Sequence, residues 1–150
     1  MKNYLLLLLL LVISCNEKVE SKKNTAMGSA FYEGYRNEPK LEELWKSAYK
    51  KGDTISYLEM MDIFVLSGHE NEFLYYAICM ADKHNYRHAN IEVYDILRKL
   101  PERNDRMNKI ANYYLLRAIE SGHKGAIRDL KERFGTDSPP KSEDYWKTIQ

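Results

Sequence analysis

The sequence has almost no net charge and very little cysteine. Its 150 residues include 23 Lys and Arg and 22 Asp and Glu, a formal net charge of +1, so overall charge gives no reason to expect a nucleic-acid partner. Two cysteines, Cys15 and Cys79, are too few for a disulfide framework. The chain also lacks a Gly-rich phosphate loop. These absences favour a binding protein without a cofactor or a metal, and a small hydrolase is the weaker alternative.

A run long enough to cross a membrane is absent as well. The apolar run near the N-terminus, residues 5–13, has nine residues, whereas a spanning helix needs about 20. It follows the basic residue Lys2, and a short positive region followed by such a run is typical of an export signal. The first residues therefore predict a targeting segment that is separate from the fold.

The end of this run, Val12, Ile13, Ser14 and Cys15, resembles the signal of bacterial lipoproteins, in which a small residue precedes a cysteine that receives lipid. The resemblance implies that residues 1–14 are removed and that acyl chains on Cys15 hold the protein to a membrane of the cell envelope. Asn16 in place of Asp favours the outer membrane of a diderm bacterium. An ordinary secretory signal with an incidental cysteine is the alternative.

Residues 15–40 mix polar and small residues without a stable period, which predicts a flexible tether between lipid and domain. Three aromatic residues, Phe31, Tyr32 and Tyr35, interrupt its polarity. They leave open whether this part docks on the domain as a strap, serves as a recognition segment or is disordered.

Residues 41–135 have the 3.6-residue apolar period of amphipathic helices. Turn and cap signals at Gly52, Asp53, Pro101, Asn104 or Asp105, and Gly135 divide them into about six helices. The third helix contains nine consecutive apolar residues, 73–81, so we expect it to be the central helix, covered on more than one side. Residues 136–150 are expected to form an exposed tail, although Tyr145 and Trp146 are apolar enough to dock.

The strongest structural signal is an internal repeat. Ala48, Ala81 and Ala118 are 33 and 37 residues apart, and apolar residues recur at the same offsets around each of them. Four residues after each alanine comes a residue suited to a tight turn, Gly52, Asn85 or Gly122. This spacing is typical of paired-helix repeats. It predicts an all-α fold, an α-solenoid of three helix hairpins.

The last hairpin, residues 111–134, resembles a Sel1-like repeat, a relative of the tetratricopeptide repeat. The matching residues are Ala111, Tyr113 or Tyr114, Arg117, Ala118, Gly122, Ala126 and Leu130. The resemblance implies a non-enzymatic scaffold that binds a protein partner on a concave surface lined by the first helix of each pair. The alternative is a different small helical bundle.

Charge is distributed unevenly along the repeats. Residues 41–72 carry seven acidic and three basic residues, whereas residues 97–134 carry ten basic and five acidic ones. We therefore expect the basic end to meet an acidic partner protein or an anionic membrane, although ordinary solvated helix faces would have the same composition. The predicted partner-binding residues are Tyr113, Arg117, Arg128 and Lys131. An immunity-type protein that neutralises a toxin would bind in the same way.

Possible chemical sites are few. His84 and His88 are four residues apart, a spacing that suits a metal only when both lie on one helix. The repeat places a turn at Asn85 between them, so no metal site is expected. Cys79 lies in an apolar run and is expected to be a small buried residue; a catalytic thiol is the alternative.

Overall fold

The computed structural model describes residues 27–136 and 138–150. The predicted signal, Cys15 and the first part of the tether lie outside the described residues. Within the described ranges all regular structure is helical, which confirms the predicted all-α class. A 3-10 helix, Glu70–Phe73, precedes the fourth of eight α-helices: α1 Met27–Tyr35, α2 Glu38–Lys51, α3 Thr54–Leu66, α4 Leu74–His84, α5 Arg87–Lys99, α6 Asp105–Glu120, α7 Ala126–Phe134 and α8 Ser142–Trp146.

Polar side chains cap three of these helices. The Asn37 side chain accepts a hydrogen bond from the Lys40 amide at the start of α2. Asp53 accepts from the first amides of α3. Asn104 caps α6 by accepting from the Met107 amide at 2.8 Å, so Asn104 and not Asp105 is the cap. Such caps satisfy amides that the helix itself leaves without partners.

Three helix hairpins lie where the repeat predicts them: α2–α3, α4–α5 and α6–α7. Their turn residues Gly52, Asn85 and Gly122 have positive φ angles of 69°, 47° and 84°, and asparagine tolerates this left-handed region better than most residues. The anchors Ala48, Ala81 and Ala118 are each 0% exposed. The three hairpins are therefore present, and their stacking as a solenoid stays a prediction.

The central helix is α5, so the prediction that the third helix is central was wrong. Seven residues of α5 are buried, against three of α4, and α5 packs against both α4 and α6. On α4 the side chain of Tyr75 is 64% exposed. A continuous apolar run does not require cover on every side when it contains Tyr and Cys, which tolerate contact with water.

The predicted tether does not extend to residue 40. Residues 27–35 form α1, and α2 begins at Glu38. Tyr35 docks on the domain: its ring stacks on His69 with centroids 3.6 Å apart, and its hydroxyl donates to Glu72 at 2.6 Å. The sequence left open whether this segment docks as a strap, serves for recognition or is disordered. In the structure it docks as a strap.

The C-terminal segment is also more ordered than predicted, because α8 packs against α6. The Ser142 hydroxyl donates to Glu120 at 2.5 Å, and the Asn112 amide donates to the Tyr145 hydroxyl at 3.2 Å. The prediction of an exposed tail was therefore wrong for Ser142, which is buried, and Tyr145 and Trp146 dock as their apolar character allowed.

Candidate interaction surface

Arg117, a predicted partner-binding residue, is engaged inside the fold. Its side chain is only 13% exposed. It pairs with the Asp82 carboxylate and donates to the Ala81 carbonyl at 2.6 Å, while the Tyr114 hydroxyl donates to Asp82 at 3.1 Å. This network joins α6 to the end of α4. A role for Arg117 in partner binding stays a prediction, but its guanidinium is already bonded to α4, which spacing along one helix could not show.

Tyr113 is likewise covered by another part of the chain. Its ring lies 4.6 Å from that of Trp146 on α8, and the Arg117 guanidinium lies 5.6 Å from its centroid. The side chain is half-buried. Tyr113 is therefore not the exposed aromatic residue that the sequence predicted.

Arg128 and Lys131 lie on the outer side of α7. Arg128 is 88% exposed and lies 3.6 Å from the Asp129 carboxylate, and Lys131 is exposed. Leu130 between them is buried, as the repeat predicts. Their contact with a partner stays a prediction. Of the four predicted binding residues, these two are the ones placed toward solvent.

A different surface has the aromatic residues that the last hairpin does not present. Trp45 and Tyr49 of α2 lie with ring centroids 5.0 Å apart, and Tyr75 of α4 lies 6.3 Å from Trp45. Tyr49 is 38% exposed. We call this surface the aromatic–basic face, defined by Trp45, Lys46, Tyr49, Lys50, Tyr75 and Lys83.

The basic residues of this face border its aromatic rings. Lys83 lies 3.7 Å from the Tyr49 ring centroid and donates to the Tyr49 carbonyl at 2.8 Å. Lys46 and Lys50 line a shallow cavity of about 310 Å³ together with Trp45, Tyr49 and one acidic residue, Glu42. Cations beside aromatic rings form a surface that attracts acidic groups and offers apolar area at the same place.

Cys79 lies on the open side of α4 and was wrongly predicted to be buried. Its side chain is half-buried, and a hydrogen bond with Cys79 raises the pKa of the Tyr75 phenol. The phenol therefore stays neutral and can donate or accept hydrogen bonds. A catalytic thiol is not favoured here, because the neighbouring group is a phenol and not a base.

On α6, the side that corresponds to Tyr75, Cys79 and Lys83 of α4 is covered by another helix. Tyr75, Cys79 and Lys83 correspond, 37 positions later in the repeat, to Asn112, Leu116 and Glu120. Asn112 and Glu120 are hydrogen-bonded to α8, and Leu116 is buried. The final helix thus occupies on α6 the side that α4 leaves open.

The two histidines considered for a metal do not come together. His84 Nε2 donates to the Tyr49 carbonyl at 2.8 Å, whereas the His88 ring packs against His123 with centroids 5.2 Å apart. Within residues 27–136 and 138–150 no cluster of three or more potential ligands is arranged to hold a metal ion.

In the same ranges no helix combines the length and the apolar character that crossing a membrane requires. Comparison with protein-family models, with curated proteins and with solved structures found no match.

Proposed function

We propose that this chain is a lipid-anchored, non-enzymatic protein-interaction module of the cell envelope. Its aromatic–basic face binds an acidic, aromatic-containing segment of a partner protein. The single observation that carries the proposal is the exposure of Tyr75 beside Trp45 and Tyr49 on neighbouring first helices. Tyrosine and tryptophan supply much of the binding energy in protein interfaces.

Energetics favour a partner on this face. Covering the exposed part of Tyr75, 64% of its surface, would bury roughly 100–150 Å², on the order of 2–4 kcal/mol at about 25 cal/mol per Å² before the entropy of association is subtracted. Lys46, Lys50 and Lys83 add an electrostatic preference for carboxylates, which speeds encounter. An acidic segment with aromatic residues satisfies both features.

The chain contains an internal example of such a segment. Helix α8 has the sequence Ser-Glu-Asp-Tyr-Trp, and it docks on α6 at the positions that correspond to the open side of α4. Tyr145 accepts from Asn112, and Trp146 packs on Tyr113. This contact supports a short acidic–aromatic helix as the form of the partner segment.

The membrane anchor rests on the resemblance of residues 12–15 to a lipoprotein signal. If Cys15 carries the lipid, Cys15→Ala releases the protein from membranes or leaves it uncleaved. Fractionation of cells with detection of the chain and of its apparent mass measures this. Wild-type processing and wild-type membrane association of the Cys15→Ala chain would show that the anchor is wrong.

The binding proposal is tested with a partner isolated on the immobilised full chain from envelope extracts. Tyr75→Ala and Lys46→Glu are each expected to weaken its affinity by about tenfold or more. Binding should also weaken with salt, since the Debye length falls from about 30 Å at 0.01 M to about 8 Å at 0.15 M.

The matched control is the double variant Arg128→Glu with Lys131→Glu on α7. Like Lys46→Glu, it replaces basic residues by glutamate at exposed positions, but outside the aromatic–basic face. If the partner binds the aromatic–basic face and not the last hairpin, this variant keeps wild-type affinity within about twofold. The opposite pattern, loss with the α7 variant and none with Tyr75→Ala, would place the site on the last hairpin and contradict the proposal. If the isolated partner is a toxin, the module has an immunity role.

A further inference from the structure

A second cavity, of about 410 Å³, lies where the turn between α6 and α7 meets the first turn of α5. It shares no residue with the aromatic–basic face. It is lined by two glycines and four basic or titratable residues: Arg87, His88, Gly122, His123, Lys124 and Gly125. No carboxylate lines it, so its charge is positive or, at the imidazoles, neutral.

None of these four nitrogen-bearing side chains is paired with another group of residues 27–136 and 138–150. Arg87 and Lys124 form no ion pair or side-chain hydrogen bond there, and neither ring nitrogen of His88 or His123 has a hydrogen-bond partner. Arg87 and Lys124 are exposed, and two cationic side chains beside two imidazoles, with no carboxylate in the lining, favour a ligand of negative charge.

His123 lines the cavity with a ring nitrogen that has no partner in the fold. Its Nδ1 is buried without a hydrogen bond, and the ring packs so closely on Gly125 that a Cβ there would lie 3.1 Å from Cε1. The His88 ring stands perpendicular to His123 with centroids 5.2 Å apart, so two imidazoles border the same space.

Two helices begin at the cavity. Arg87 opens the 13-residue helix α5, and Gly125 precedes Ala126, the first residue of the 9-residue helix α7. Neither start has a side-chain cap, so backbone amides of both first turns have no competing side-chain acceptor. The positive ends of two helix dipoles add to the charge of Arg87 and Lys124.

We propose that this cavity binds a phosphate group, either as inorganic phosphate or as a phosphomonoester. Guanidinium matches the oxygens of phosphate in two parallel hydrogen bonds, and amides at helix starts bind the same group. The cavity is larger than a single ion, so it has room for the organic part of an ester. Burial, His123 and Arg87 lower the pKa of His88, and a bound anion would offset the two charge effects.

The test follows the ring protons of His88 and His123 by NMR in the full chain while ligand is added at constant pH and ionic strength. The ligands are inorganic phosphate, glycerol 3-phosphate and, as the ionic control, chloride. We expect saturable shifts at both rings with either phosphate and half-saturation at about 1 mM or below. Tighter binding of the ester identifies a phosphomonoester site; equal binding identifies an inorganic phosphate site.

Arg87→Ala and Lys124→Ala are each expected to weaken binding by about tenfold. Arg103→Ala, which removes the same charge from an exposed position away from the cavity, should leave it within about twofold. Lys124 lies at an exposed turn, so its variant keeps the test valid if Arg87→Ala does not fold. Shifts that do not saturate, that chloride reproduces, or that both cavity variants leave unchanged would overturn the proposal.

Discussion

Helices α4 and α6 are the first helices of neighbouring hairpins, yet the same side is open on one and closed on the other. On α4 Tyr75 and Lys83 are exposed and Cys79 is half-buried, while the corresponding side of α6 is covered by α8. Within residues 27–136 and 138–150 a short helix covers this side on α6 and none covers it on α4, and this difference locates the candidate binding surface.

The largest loss of stability is expected when the contact that joins α4 and α6 is removed. Arg117→Ala leaves the Ala81 carbonyl without its donor and leaves the Tyr114 hydroxyl as the remaining donor to the Asp82 carboxylate. Because Arg117 is mostly buried and Asp82 is about half exposed, we expect the free energy of unfolding to fall by about 2 kcal/mol. Urea denaturation measures it.

Arg128→Ala is the control for this loss, since it removes the same side chain from an exposed position and is expected to change stability by less than about 0.5 kcal/mol. Equal losses for the two variants would show that the contact with Asp82 does not hold the hairpins together.

Removing the cover of α6 is expected to cost less stability. Trp146→Ala removes the ring that packs on Tyr113, and we expect a loss of about 1–2 kcal/mol because a partly buried tryptophan is lost. Tyr75→Ala removes a ring that is largely exposed, and its cost should stay below about 0.5 kcal/mol. Thermal melts of both variants measure the difference, and a costlier Tyr75→Ala would mean that the open side of α4 is a structural contact.

A smaller effect concerns α5, which packs against both helices. Burial, followed by the charges of Asp95 and Glu70, raises the pKa of Glu92 to about 7. Between its ordinary value near 4.5 and about 7, the folded chain binds more protons than the unfolded chain, so stability decreases as pH rises through this window. Glu92→Gln removes this loss of stability, because glutamine does not ionise.

We expect Glu92→Gln to raise Tm by roughly 3 °C at pH 8 and to leave it nearly unchanged at pH 5. Circular dichroism melts at the two pH values measure this, with Glu102→Gln in the exposed loop before α6 as the matched control. The same Tm difference at both pH values would show that Glu92 does not titrate with a raised pKa.

Much of the fold could be predicted from the sequence because turns have local causes. Gly52, Asn85 and Gly122 adopt the positive φ angles that the repeat predicts, and Asp53 caps α3. The additional helices α1 and α8 could not be predicted in this way. A five-residue helix is not stable alone, so α8 depends on contacts with α6 that lie far away in sequence.

The candidate surface was only partly accessible to sequence reasoning. The apolar period placed Trp45 and Tyr49 on an inward side of α2, but periodicity does not state how far the next helix covers that side. Likewise, the basic excess after residue 97 did not show that Arg117 pairs with Asp82. The repeat did contain one usable signal. Tyr75 and Asn112, 37 residues apart, occupy the same position in successive repeats, so a large aromatic residue stands where the next repeat has a polar one.

The central claim is that the open side of α4 binds the partner and the closed side of α6 does not. A photo-crosslinking amino acid placed in turn at positions 75, 113 and 128 of the full chain, in intact cells, tests it most directly. We predict a crosslinked protein partner from position 75 and none from position 113. Crosslinks from position 128 or 113, with none from position 75, would contradict the claim.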